Sequence, residues 1–244
     1  MHLVLFTALA MLAWPGTSAH ADAGFTPEQE NRIKELVRSY LLEHPQILEE
    51  AFTRLQQTRQ EEARQQAQAA LQQNQEQLYR DPTSPVLGNP KGDVTVVEFF
   101  DYRCGYCKRA FPRVGQLLEE DGNIRLVLKE LPILGPASVY ASRAALAARE
   151  QKLYEPFHDA LMGWRGDLTR EDVLQVAREV GLDVERLQRD MADPGVSEAI
   201  ERNMALAEAL GINGTPAFVI GDTLVPGAVE VDALRELVKR ARAS

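Results

Sequence analysis

Ile33, Leu36, Val37, Tyr40 and Leu41 recur at intervals of three and four, which places them on one stripe of a helix. The helix opens at Thr26-Pro27-Glu28-Gln29, with Thr as cap, Pro at the first helical position and Gln at the third. Pro45 costs a backbone hydrogen bond inside any helix, so the pattern predicts an end near His44 and a second helix from there. That second helix carries Leu48, Ala51, Phe52 and Leu55, then Ala63, Ala67, Ala70 and Leu71 in a stretch crowded with Gln. So thin a stripe is marginal alone, because helices in proteins gain most of their stability by packing an apolar face. The expected partner is the same arm of other subunits, in a coiled-coil-like dimer or trimer. A helical arm lying solvated on the next domain is the alternative.

Asp81-Pro82-Thr83-Ser84-Pro85 and Gly88-Asn89-Pro90-Lys91-Gly92 punctuate the chain, and residues 81–92 read as a linker between an arm over 22–80 and a domain over 93–244. Beyond it, Val94 to Phe100 reads as a buried strand, β-branched and aromatic. Cys104 to Glu119 follows as a helix, Ile124 to Leu128 as a second strand, and Pro132 to Pro136 as a turn. Strand, helix and strand in that order predict a right-handed βαβ unit. Helical patterning fills 137–210, broken at Pro156, at Gly163 to Gly166, at Gly181 and at Pro194-Gly195. Ala217 to Ile220 and Thr223 to Val225 then flank Gly221-Asp222 as a hairpin, and Val231 to Ala243 closes the chain as a helix with Leu234 and Leu237 inward.

The first residues change the picture of compartment. Leu3 to Trp14 is an apolar run too short to span a bilayer, and Ala19-His20-Ala21 after it reads as a cleavage site. Residues 1–21 are therefore expected to be a signal peptide and the mature protein periplasmic. Its formal net charge of −9 speaks against a nucleic-acid partner, whose electrostatic footprint is a basic face.

Both cysteines of the chain lie in Cys104-Gly105-Tyr106-Cys107, where a strand gives way to a helix. A structural disulfide is a poor explanation, since so short a loop removes roughly 2 kcal/mol of chain entropy against ~4.7 for a 100-residue loop. A zinc site wants two further ligands, and the mature chain offers only His44 and His158, far apart. Covalent haem wants His after the second Cys, where Lys108 stands, and iron–sulfur clusters want four thiolates. No metal or cofactor is expected, and thiol–disulfide exchange is the favoured chemistry over an inert pair. At a helix N-terminus the first amides favour an anion, so the Cys104 thiol should titrate low. Arg103, Lys108 and Arg109 are expected to add to that. Cys107 stands one turn on, within reach of a mixed disulfide at Cys104. His158, between Phe157 and Leu161, reads as a packed helix residue, and Trp164 as part of a loop between helices.

The stretch from Val97 to Cys107 resembles the active-site region of DsbA-like thioredoxin-fold proteins, and Gly214-Thr215-Pro216-Ala217-Phe218 resembles their cis-proline loop. The arm, with Tyr40-Leu41-Leu42-Glu43-His44-Pro45, is similar to the extension of the ScsC-like and Com1-like subgroup, through which some members oligomerise. The resemblance implies an α/β chain of thioredoxin-like fold with an inserted helical domain over about 137–210, preceded by an α-helical arm. It implies Cys104 as nucleophile, Cys107 as resolving thiol, and Glu98 as a buried carboxylate that relays the Cys107 proton. Lys129 is a candidate charge partner for Glu98, with a solvated lysine the default. It further implies that Thr215-Pro216 is cis, presenting the Thr215 backbone to an extended client. Gly105 and Tyr106 between the cysteines, with Thr215 before the proline, look more like isomerases than strong oxidases.

Three functional readings follow. The first is a periplasmic oligomeric disulfide isomerase or reductase acting on cysteine-containing secreted proteins, kept reduced by a membrane redox partner. The second is a DsbA-like dithiol oxidase. The third is a non-catalytic envelope assembly or client-binding protein.

Overall fold

A computed structural model describes residues 25–243, so the expected signal peptide at 1–21 lies outside the described residues. Two compact units divide at Thr58 and Arg59. The first contains the helix α1 (Pro27–Glu43) and the start of α2 (Gln46–Gln73). Thr26 caps α1 through a reciprocal box with Gln29, and His44 ends it, because Pro45 follows. None of the α1 residues is buried, and Leu36 and Phe52 are 70% and 63% exposed.

In the second unit, the short helix α3 (Gln75–Tyr79) leads into strands β1 (Val86–Gly88) and β2 (Val94–Phe100), helix α4 (Gly105–Glu120) and strand β3 (Ile124–Glu130). Five helices follow: α5 (Pro136–Ala148), α6 (Tyr154–Gly163), α7 (Arg170–Glu179), α8 (Val184–Asp190) and α9 (Pro194–Ala209). Strands β4 (Ala217–Ile220) and β5 (Thr223–Pro226) and helix α10 (Val231–Ala243) complete the chain. The five-stranded sheet runs β1-β3-β2-β4-β5, with β2 and β3 parallel, in register from Val94–Ile124 to Phe100–Glu130, and the other neighbours antiparallel. This is the expected thioredoxin-like fold, with α5 to α9 inserted between its β2-α4-β3 and β4-β5-α10 halves.

Alternation along the strands sorts the sheet into two buried faces. Val96, Phe100, Leu126, Leu128, Phe218 and Ile220 pack with residues of α4, α10 and the insertion. Val97, Phe99, Val127, Ala217 and Val219 pack on the other side with Leu206 and Leu210, and with Leu71 and Leu78 of α2 and α3. The Gln-rich second helix therefore contributes its last turns to the core of the second unit, although its composition reads as unsuited to that.

Two expectations need correction. Residues 81–92 are no linker: they hold β1, paired with β3 from Val86–Val127 to Gly88–Arg125, and Ser84 is buried. Lys129 is neither solvated nor beside Glu98. Being one residue on from Leu128, the register partner of Glu98, it projects from the opposite face of the sheet. There it is fully buried, donates to the Gln77 carbonyl and to Ser84 Oγ (2.7 Å), and pairs with Asp81 at 3.6 Å. Burial pulls the Lys129 ammonium down to about 8, and Asp81 opposes that. One lysine thus fastens the chain on either side of residue 80 to β3. Replacing it takes the cation from a mostly buried carboxylate, which keeps only the neutral donors of Thr83 and Ser84, and takes the donor from the Gln77 carbonyl. Lys129→Met should therefore cost about 3 kcal/mol in urea unfolding; a loss under about 0.5 kcal/mol, the size of a surface substitution, would mean the latch contributes nothing.

Candidate active site

β2 ends at Phe100, and the turn that follows delivers Cys104 to the N-cap of α4. Asp101 shapes this turn: its carbonyl accepts the Cys104 N–H (3.0 Å) and its carboxylate the Arg103 N–H (2.7 Å). Both thiols are free, with Cys104 7% exposed and Cys107 fully buried. As a thiol, Cys104 Sγ donates to the Thr215 carbonyl at 3.2 Å. Its titration falls to about 5, first because the Cys107 thiol donates to it, and further through the Thr215 side chain and the amides of Cys107 and Tyr106; burial opposes the fall. Cys107 moves the other way. Burial pushes it far up, its bond to Cys104 and the nearby Glu98 add to that, and the Asp101 N–H opposes.

The flanking cations have other partners, which corrects the role expected of them. Arg103 donates to the Leu134 carbonyl (3.0 Å) and pairs with Asp167 at 3.7 Å. Lys108 donates to the carbonyls of Leu161 and Trp164 at the end of α6. Arg109 lies 4.2 Å above the ring of Tyr106. The low titration of Cys104 comes from neutral donors at close range.

Glu98 lies on β2 between Leu128 of β3 and Phe218 of β4, on the face that carries α4. It is 4% exposed, and its Oε1 has no hydrogen-bond partner among the described residues. Desolvation alone raises it to about 8. Thr215-Pro216 is cis, with Thr215 half-buried, Pro216 buried and its carbonyl bonded to the Gly227 N–H (2.8 Å). Gly105 and Tyr106 are exposed beside the sulfur, Tyr106 by 61%. The structure thus gathers Cys104, Cys107, Glu98, Gly105, Tyr106 and Thr215-Pro216 at one end of β2 and β4. His158 is buried, stacked on Tyr154 and edge-on to Phe100, and burial lowers it to about 3.

Sequence reasoning passed over Asp101, Tyr102 and Glu130, all fully buried around the turn. An acid at the end of each central strand reads as solvent-facing; only the helices packed over these ends bury them.

The family described as DSBA-like thioredoxin domain matches residues 95–239, and the Copper resistance protein ScsC N-terminal domain matches residues 29–63. A thioredoxin-like oxidoreductase from Silicibacter pomeroyi DSS-3 is 58% identical with a TM-score of 0.69, over 70% of this chain and 99% of that one. A linker-deletion variant of Proteus mirabilis ScsC is 31% identical with a TM-score of 0.69, over 91% of this chain and 99% of that one. The Na(+)/H(+) antiporter NhaA 3 of Salinispora tropica is 33% identical over 161 residues, 65% of this chain and 25% of the antiporter. The chain therefore spans about a quarter of that curated relative's length. With the dithiol at the start of α4, the cis proline opposite it and the helical insertion between the two halves of the sheet, the chain belongs to the DsbA-like thioredoxin family, carrying the ScsC N-terminal domain ahead of its thioredoxin domain.

Proposed function

We propose that the protein is a periplasmic thiol–disulfide oxidoreductase that reduces and reshuffles disulfides of secreted proteins as an oligomer. The observation that carries the chemistry is the asymmetry of the dithiol: a low-titrating sulfur facing the Thr215 backbone, and a buried one a turn behind it. The Cys104 thiolate attacks one sulfur of a client disulfide, forming a Cys104–client bond and expelling the other client sulfur as thiolate. Cys107 gives its proton to Glu98 in the fraction of molecules where that carboxyl is ionised, a fraction that grows as pH approaches 8, and attacks Cys104. A Cys104–Cys107 disulfide forms, and the second client sulfur leaves as thiolate. The client gains two electrons and the dithiol loses them. If the expelled client thiolate instead attacks elsewhere in its own chain and Cys104 is released unchanged, the client is isomerised with no net redox change. A membrane redox partner that reduces Cys104–Cys107 restores the first route.

The exposed stripe of α1 and early α2 supports assembly, since Ile33, Leu36, Val37, Tyr40, Leu48, Phe52 and Leu55 are all exposed within the first unit. Two or three Cys104 sites on one scaffold hold a client at up to about millimolar effective concentration, which favours recapture and reshuffling. The specific observation on the side of a dithiol oxidase is the low titration of Cys104. A stabilised thiolate stabilises the reduced form and so makes the disulfide more oxidising.

Cys104 should titrate with a midpoint near 5 by ultraviolet thiolate absorbance, and a midpoint near 8.5 would remove the basis of the assignment. Its folded value lies below its unfolded one, so the reduced protein gains stability over the oxidised one as pH rises through about 5 and loses it on acidification through the same value.

Glu98 has the opposite sign. Between pH 4.5 and about 8 the folded chain keeps a proton that the unfolded chain has lost, so stability declines as pH rises across that window. Burial raises Glu130 to about 8 as well, so Glu98→Gln should reduce that decline without abolishing it, and should slow the resolving step by roughly 100-fold, the lower end for a lost proton-transfer group. An unchanged decay of the Cys104–client mixed disulfide would exclude the relay.

Truncation to residues 59–244 keeps Leu71, Leu78, Asp81 and β1 with their partners, whereas a cut at residue 87 would remove the first three and two of the three residues of β1. The truncated protein should be monomeric in light scattering and lose refolding of scrambled substrate while retaining dithiol oxidation. A full-length mature protein that is monomeric at micromolar concentration would move the assignment to the oxidase.

A further inference from the structure

Beside the dithiol, two fully buried carboxyl groups, Asp101 and Glu130, stand where the turn 101–104 passes the start of the insertion, and the exchange chemistry proposed above makes no use of either side chain. Asp101 accepts from Ser138 Oγ (2.8 Å) and from the Leu134 N–H (3.0 Å). Glu130, the last residue of β3, accepts from Tyr102 Oη and Tyr154 Oη on Oε1, both at 3.0 Å, and from Ser142 Oγ on Oε2 at 2.7 Å. Ser138 and Ser142 are four residues apart on α5 and both fully buried, so one helix face presents a hydroxyl to each carboxylate. Donors therefore cross in both directions: the turn's Asp101 takes them from the insertion, and β3's Glu130 takes one from the turn.

From this geometry we infer that Asp101 and Glu130 form a paired clamp on the active-site turn, in which Glu130, acting through Tyr102, is a positioning residue for the Cys104 thiol. The inference rests on the proposed exchange reaction only in making Cys104 the reacting group.

The bonds inside the turn, from Asp101 to the N–H groups of Arg103 and Cys104, set its shape and leave its place undetermined. Its place comes from outside: Leu134 and Ser138 on Asp101, Glu130 on Tyr102, and the Leu134 carbonyl on Arg103. That place matters because the amides and the Cys107 thiol that hold the Cys104 anion act only at hydrogen-bond range. Stability alone does not account for Glu130, whose three donors are all hydroxyls. An apolar cluster of the same volume escapes the desolvation of a carboxyl group, whereas the polar one has direction. Two further neutral groups stand beside the cluster: Asn203 of α9 donates to the Glu130 carbonyl (3.2 Å), and His158 of α6 meets Tyr102 Oη through Nδ1 (3.0 Å).

Two isosteric variants of the full-length protein separate positioning from packing. Tyr102→Phe and Tyr154→Phe each remove one hydroxyl from the same oxygen at the same distance, and only Tyr102 belongs to the turn. Both should lower the urea midpoint. Tyr102→Phe should raise the Cys104 titration by about half a unit or more, roughly a threefold weaker hold on the thiolate, with Tyr154→Phe within about 0.2 of wild type. Glu130→Gln should move Cys104 in the same direction as Tyr102→Phe. Equal Cys104 midpoints in wild type and both tyrosine variants, or an equal rise in both variants, would overturn the inference. Should Tyr102→Phe fail to fold, Ser138→Ala, which takes a donor from the turn's own Asp101, is compared with Ser142→Ala in the same way. A rise confined to Ser138→Ala supports the clamp, and no difference overturns it. The titration needs no client, so a wild-type protein inactive in disulfide exchange would sink the proposed function and leave this comparison intact.

Discussion

Burial of β2 on both faces is the constraint on which the rest of the structure depends. As the central strand it pairs with β3 on one side and β4 on the other, and its neighbours hold its end rigidly beside the start of β4. The dithiol follows that end and Pro216 precedes that start, so one set of backbone ladders sets the distance between the Cys104 sulfur and the Thr215 backbone. The same burial determines what a polar residue on β2 does. Glu98, with hydrophobic neighbours in both register directions, is desolvated by burial, which disfavours its charged form, and keeps its proton to about pH 8.

Two thiols three residues apart are driven in opposite directions by small differences in position. Cys104, at the helix cap, meets the amides of Tyr106 and Cys107 and a donating thiol; Cys107, a turn in, meets the core and its neighbour's charge. The cations nearby serve a mechanical purpose, Lys108 and Arg103 tying the dithiol segment to carbonyls of α6 and of the 131–135 segment. An exposed cation is screened by water and salt, while a buried donor at hydrogen-bond distance is not, so the short-range groups decide the outcome.

The buried polar groups form separate fastenings on the two faces of the sheet. On one, Lys129 holds the chain around residue 80 to β3. On the other, Asp101 and Glu130 join the active-site turn to the insertion. Each is a point at which the inserted or preceding segment is given a direction, which apolar packing supplies poorly because it is non-directional.

Much of this was legible in the residues. Periodicity alone placed α1, the break at Pro45, β2, α4, β3 and the β4–β5 hairpin, because each pattern reflects local geometry: which face is apolar and where a proline or glycine interrupts. The dithiol stood out by its spacing and by the lack of further ligands. Legibility ended where a residue's meaning depends on what packs over it. Lys129 and Glu98 stand on paired strands one register step apart, yet which face each one takes depends on strand register. β1 is three residues in a run of Pro and Gly, held by pairing to β3 more than by its own propensity. Leu71 and Leu78 look like part of a solvated arm until β2, β3 and β4 supply the surface they cover. The chain by itself marked most of its helices and strands and the place of its dithiol, since both depend on neighbours in sequence; only the tertiary structure decided which charges are buried and what they hold, because desolvation is imposed by distant segments brought together in the fold.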